Sequence, residues 1–314
     1  MLPLISLFSK ALYFYNRCSS DFFTFVDLLC DTIYFIMTGE LIKAITLTTY
    51  GTAFLKDDYN ISGLTLEHPS FIFTNKVEFQ HLKKYLIFKP KWHIYADSPV
   101  MWLTKLKEAG CKEIRLVFLP DNQRSLNGET IPDHKLAGFI GGGGYRFIET
   151  VFPNHSDFWQ SREKVTDRDA PDSKIWKVTY RRILTGKQTL KKEIYDIDSL
   201  KKKLKSKLIS ISAFAKGEKL TFWSEWFDKA INLIDASIPF VNDRDRLIIP
   251  TDKMDLNSIQ LFASAKSAWC FGGMGSWNDI GFNDNNTQNT YDKLTAELYD
   301  IVNESYLAVA NSCE

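Results

Sequence analysis

The sequence predicts an α+β protein, mixed α/β in detail: a central mixed sheet containing a βαβ unit, flanked by an N-terminal helix and a C-terminal helical layer. Three observations carry this. Residues 20–48 and the chain after about 196 place apolar side chains at three-four spacing. Between about 61 and 184, short β-rich runs recur instead. Around 92–119 a strand, a capped helix and a second strand follow one another with complete start and stop signals.

The N-terminal helix is expected over 20–48, capped by Ser20 or Asp21 and interrupted at Gly39. The β-rich runs are "FIFTNKVEF", "KWHIYA", "EIRLVFL", "LAGFI", "YRFIETVF" and "IWKVTYRRI". In the βαβ unit, Trp92 to Ala96 reads as a strand, Ser98 as a cap and Pro99 as the first helical residue. Gly110 is the stop and Glu113 to Leu119 the second strand. Trp102, Leu103, Leu106 and Ala109 share the helix face that a sheet would cover, and a right-handed crossover would make the two strands parallel.

Further helices are expected over Ile197 to Phe214, over Thr221 to Ile234, from a cap at Asp255, and over Tyr291 to Ala310. The organisation is therefore a helix-plus-sheet region, 1–195, and a mainly helical region, 196–314, packed together as one unit. The charged segment from Ser161 to Lys174 is the expected exposed loop.

At 314 residues, with 45% hydrophobic and 25% charged residues, the chain can bury a full core; its 14% aromatic content supplies bulky contact groups. A net charge of +1 gives no global pull toward nucleic acid or an anionic membrane. The apolar run from Phe22 to Met37 is 16 residues long and contains Asp27 and Asp31, too short and too charged for a membrane span. The opening segment "MLPLISLFSKALYFYNR" has no positive charge before Lys10 and no small-residue cleavage site, so a signal peptide is not expected. Cys18, Cys30, Cys111, Cys270 and Cys313 are odd in number and widely spaced, so they read as free thiols in a reducing cytoplasm. No zinc or redox spacing is present, and no metal or cofactor is expected.

Two glycine clusters draw attention. "GFIGGGGYRFIE", 138–149, continues into Tyr145-Arg146-Phe147, so it lacks the Gly-Lys-Ser/Thr of a P-loop. Neither it nor the second cluster has the third glycine of a dinucleotide fingerprint. A hairpin connection or a close backbone crossing explains four glycines, and a ligand role would fall to Arg146 and Glu149. In "AWCFGGMGSWNDIGF", 268–282, the glycines make a turn, and Trp277, Asn278 and Asp279 set an aromatic ring beside an amide and a carboxylate. Those three are the candidate binding residues. Asp97, His155 and Asp279 are an acid/base set that no spacing joins.

"FGGMGSWND", followed by a helix beginning near Tyr291, resembles a segment of uncharacterised bacterial cytoplasmic proteins, some of toxin-immunity or defence systems. It covers about 40 of the 314 residues and brings no catalytic residues with it.

Eight lysines between Lys187 and Lys207 face only Glu193, Asp196 and Asp198, with Tyr195 the one aromatic between them. From Asn278 to Glu304 six acidic residues face Lys293 alone. The two stretches would attract each other or opposite sides of a partner. The resulting expectation is a cytoplasmic protein that binds a protein partner, in the manner of an immunity or defence component. The alternative is an enzyme or sensor holding a small anionic ligand between the two glycine turns, with Arg146 on the anion and Asp279 as base or metal contact. Nucleic-acid binding through the lysine run ranks third.

Overall fold

The computed structural model describes residues 22–83, 89–121, 125–126, 129–139, 142–272 and 275–313. Its helices are α1 (Phe22–Asp57), α2 (Pro99–Glu108), α3 (Asp133–Leu136), α4 (Ile197–Gly217), α5 (Thr221–Leu233), α6 (Asp243–Arg246), α7 (Leu256–Ala268) and α8 (Asn285–Asn311). The main strands are β1 (Thr74–Lys83), β2 (Lys91–Ala96) and β3 (Glu113–Leu119), then β6 (Tyr145–Phe152), β7 (His155–Val165) and β8 (Trp176–Lys187). Between them lies the two-stranded hairpin of β4 (Ser125–Leu126) and β5 (Glu129–Thr130). The fold is α+β, as expected.

The six-stranded sheet has the order β2-β1-β8-β7-β6-β3, with β1 and β8 parallel and the other neighbours antiparallel. The strand–helix–strand unit forms where its signals placed it. Ser98 Oγ accepts the Met101 N–H, Pro99 opens α2, and Gly110 follows it at φ +82°. Its strands β2 and β3 run in the same direction but lie at opposite edges of the sheet. The antiparallel meander β6-β7-β8 fills the space between them, a long-range pairing that no local pattern encodes. Of "LAGFI", Leu136 ends a helical turn and residues 137–139 are turn and bend rather than strand, while Ile140 lies outside the described residues; the strand expected from Phe71 begins at Thr74 after a short 3₁₀ turn.

α1 runs through Gly39 to Asp57 without a break, because the turns beyond it bury Leu41, Ile42, Ile45, Leu47 and Ala53. Burial on that scale outweighs the roughly 1 kcal/mol a helical glycine costs. The caps expected at Ser20 or Asp21 lie outside the described residues.

One face of the sheet, the inner face, receives α1, α2 and α8; α4, α5 and α7 form a second layer against α8 and one another. Phe79 of β1 stacks between Trp102 of α2 (4.4 Å) and Tyr180 of β8 (5.2 Å), which ties the crossover helix to the sheet centre. A single core cluster includes residues from both 1–195 and 196–314. At the β3 edge, the Asn311 side chain of α8 accepts from the Leu116 N–H and donates to the Leu116 carbonyl, at 2.8 and 2.9 Å. Thr52 Oγ1 of α1 donates to the Ile114 carbonyl. These side chains stand in for a seventh strand.

Candidate functional site

The second glycine turn is built around a core residue. Trp277 is fully buried; its ring meets Trp223, Phe227 and Tyr291 at 5.1–5.5 Å. Its indole N–H donates to Thr295 Oγ1 at 2.8 Å, and its carbonyl accepts the Tyr291 hydroxyl. Every polar group of the indole is satisfied inside, so Trp277 is not a surface anchor. The three-four stripe of α5 and the Tyr291 stripe of α8 demand a bulky ring between them, and Trp277 supplies it. Asn278 is half-buried and donates to the His134 carbonyl at 2.7 Å. Asp279 is exposed, with its carboxylate folded back onto the Gly275 N–H. Gly275 sits at φ +85°, where a side chain would be strained.

The first turn is a close backbone crossing. At Gly144, φ +81°, a Cβ would lie 2.4 Å from the Phe118 ring, and at Gly142 it would meet the Leu136 carbonyl. The two turns do come near each other, through Asn278 to His134 and through Tyr299, whose hydroxyl donates to the Gly143 carbonyl at 2.7 Å. Gly141 and Gly273 lie outside the described residues.

Arg146 and Glu149 do not converge. Three residues apart on β6, they point to opposite faces. Arg146 turns inward, donates to Asn303 Oδ1 at 3.0 Å and covers the Phe118 ring at 5.1 Å; the recess beside it has no room for a water. Glu149 turns outward yet is fully buried beneath the strand-like segment after β8, accepting the Leu190 N–H at 3.0 Å with Arg115 3.8 Å away. The recess beside Arg146 is lined by Leu41, Leu116, Phe118, Asn303, Tyr306 and Leu307, and the Asp279 carboxylate is engaged by the Gly275 N–H.

His155 pairs with Asp157 (3.9 Å) rather than joining Asp97 and Asp279, and Ser98 serves as a cap. Three of the eight lysines in the run are ion-paired within the fold and a fourth is hydrogen-bonded to amides, while Lys187, Lys191, Lys202 and Lys203 are exposed. Lys192 pairs with Glu113, Lys205 with Asp235 and Lys207 with Glu297, while Lys201 donates to Asn257 and Gln260. The Lys207–Glu297 pair is the internal attraction expected between the basic and acidic stretches.

A second concentration of positive charge lies on the sheet. On the outer face, alternate residues of three adjacent strands bring together Lys76, Glu78 and Gln80 of β1, Lys177, Thr179 and Arg181 of β8, and Gln160, Arg162 and Lys164 of β7. Five cations thus surround one carboxylate. Glu78 is buried at their centre, binding Lys76 (3.1 Å) and Lys177 (2.7 Å) and accepting from Gln80; these contacts hold its carboxyl below the usual range against the opposing effect of burial. Arg181 donates to Gln80 at 3.1 Å and lies over the Trp92 ring of β2 at 4.9 Å. Burial and then the neighbouring Arg162 depress the Arg181 guanidinium, the expected effect of like charges brought together. Arg162 and Lys164 are exposed, and neither pairs with a carboxylate among the described residues. Sequence reading missed this face because its cations are spaced singly along three strands that only tertiary pairing makes adjacent.

Among the described residues no helix is long and apolar enough to cross a membrane, and no group of His, Cys, Asp or Glu has the arrangement of a metal site. Cys111, Cys270 and Cys313 are buried and unpaired with one another. No protein-family model matches this chain, and no curated protein or solved structure does. The class that fold and surface define is an α+β protein with a one-sided sheet and a basic open face.

Proposed function

We propose that the protein acts by binding a macromolecule, specifically a protein with an acidic surface, through the basic half of its outer sheet face. The observation that carries this reading is the array of Lys76, Arg162, Lys164, Lys177 and Arg181 around the buried carboxylate of Glu78, on the sheet face opposite the one that buries Val77, Phe79, Val178 and Tyr180. Surface charge of one sign that is not neutralised by its own fold raises encounter rates and selects partners of opposite sign. A protein is favoured over nucleic acid by the same surface. Its one aromatic, Trp92, is already occupied by Arg181, so it offers no free stacking platform, and the β7–β8 connection beyond Lys164 and Lys177 carries Asp167, Asp169 and Asp172. The resemblance of the 271–279 segment to uncharacterised bacterial cytoplasmic proteins, some of toxin-immunity or defence systems, supports the finer reading of a cytoplasmic immunity component.

The test is native mass spectrometry of the protein recovered from its own cells, beside the charge-reversed pair Arg162→Glu/Lys164→Glu and a control, Lys205→Glu on α4. The expected result is a stoichiometric protein partner that the pair loses, the control keeps and added salt weakens. Retained material that nuclease removes, or a partner indifferent to the pair, overturns the reading.

A further inference from the structure

The inner face of the same sheet carries a second, convergent set of cations that the reading above does not use. Register places His93 of β2, His81 of β1, Arg182 of β8 and Trp159 of β7 in one row across four strands. Trp159 is fully buried, whereas His93, His81 and Arg182 are half-buried, so the row runs from the core outward to the rim beyond α2. Tyr95 stands in front of it. Its half-buried ring is approached by Arg182 (5.5 Å), by Lys105 of α2 (5.4 Å) and by the His81 ring (5.7 Å).

The guanidinium of Arg182 lies beside the Tyr95 and Trp159 rings, 5.5 Å from each centroid, with the two rings 5.6 Å apart. It donates to Asp157 Oδ2 at 3.0 Å, and its second terminal nitrogen lies 3.4 Å from His81 Nδ1. Its Nε has no partner, and about a quarter of the side chain remains open to solvent. Asp157 lies two residues before Trp159 on β7, and its other oxygen is taken by the Gly186 N–H at 2.9 Å. Lys105 donates to the Tyr95 carbonyl at 2.7 Å, which fixes its ammonium at the mouth of the cluster. Cations are therefore gathered at one rim, pre-positioned by rings and backbone, with more donors than the fold consumes.

We propose that this rim, with Arg182, His81, Lys105 and the Tyr95 hydroxyl as its contacts, binds a small oxyanion of the phosphate or phosphate-monoester class. Arg182 supplies planar donors, Lys105 a point charge and Tyr95 a neutral hydrogen bond, the combination that recognises a tetrahedral dianion. His81 reports occupancy. Burial first, and then the positive charges of Arg182, Lys83, His93 and Lys105, hold it below the ordinary histidine range. The charged or titratable groups around it are Lys83 on its own strand, Lys91 and His93 on β2, Arg182 on β8, His155 and Asp157 on β7, and Lys105 and Glu108 on α2. A bound dianion favours the imidazolium and moves His81 upward. This site is independent of the outer face, since the two lie on opposite sides of the sheet.

The experiment is a titration of the full chain with inorganic phosphate, followed by calorimetry and by the pH dependence of the His81 ring resonances with and without phosphate. The expected result is saturable binding tighter than about 1 mM, an upward shift of the His81 titration, and a loss of about tenfold or more in affinity in Arg182→Gln. Lys105→Met, which leaves the buried Arg182–Asp157 pair intact, is expected to weaken binding even if Arg182→Gln fails to fold, while Lys205→Gln leaves it unchanged. Absence of saturation, an unmoved His81, or equal affinity in Lys105→Met and wild type overturns the proposal. Partner capture by Lys105→Met is expected to match wild type, which separates failure here from failure of the outer-face reading.

Discussion

Replacing Trp277 by Ala separates a core role from a recognition role more sharply than any other single change. The ring is fully buried against Trp223, Phe227 and Tyr291, and truncating a buried tryptophan costs about 3–5 kcal/mol through lost transfer energy and the cavity left behind. The hydrogen bond to Thr295 adds little to that sum, because Thr295 Oγ1 still donates to the Tyr291 carbonyl at 2.7 Å once the indole is gone. Trp277→Phe keeps most of the ring contacts and is expected to cost about 1–2 kcal/mol. Urea denaturation followed by circular dichroism measures both, and the order Ala much worse than Phe, with an unchanged slope, is the expected outcome. A loss below about 1 kcal/mol in a normally folded Trp277→Ala protein refutes the packing argument and returns the residue to the surface.

Other perturbations test other parts of the argument. Asn311→Ala removes both side-chain bonds to Leu116 at the β3 edge; the expected loss is about 1–3 kcal/mol, and an equal stability would mean water caps that edge as well as Asn311 does. Glu40, which accepts from Ser161 Oγ at 2.5 Å near the buried Lys43–Glu163 pair, has its carboxyl raised above the usual value by loss of hydration. A raised folded value stabilises fully below the ordinary carboxyl range and is lost as pH rises through the folded one, so Glu40→Gln should flatten the fall of stability above the acid range. Parallel pH curves for the two proteins would exclude that linkage. Burial pushes the Cys111 thiol up to about 12 and raises Cys270 well above its ordinary value. Peptide mapping after a thiol reagent should therefore find both unmodified in the native protein and modified in denaturant, and native labelling of either would contradict their burial.

Local signals carried a good part of this structure. Ser98, Pro99 and Gly110 bounded α2, Asp255 capped α7 with its carboxylate on the Ser258 N–H, and the three-four stripe of Tyr291, Leu294, Leu298, Ile301, Ser305 and Ala308 became the inward face of α8, with Leu294 half-buried and the others buried. Caps, stops and three-four stripes act over a few residues, and the sequence by itself determined them. The site was another matter. The Trp277-Asn278-Asp279 triplet had the composition of a binding edge, but whether an aromatic beside a glycine turn is covered depends on helices far away in the chain, here α5 and α8. Arg146 and Glu149 looked adjacent along the chain until strand alternation sent them to opposite faces. The two cation sets are each assembled from strands as much as about a hundred residues apart: Lys76, Arg162 and Lys177 outside, His81, His93 and Arg182 inside. Only the tertiary structure decided those, because the parallel pairing of β1 with β8 is fixed by burial of Phe79 against Trp102 of α2 and of Tyr180 beside Phe79, an energy that no neighbouring residue in the chain reports.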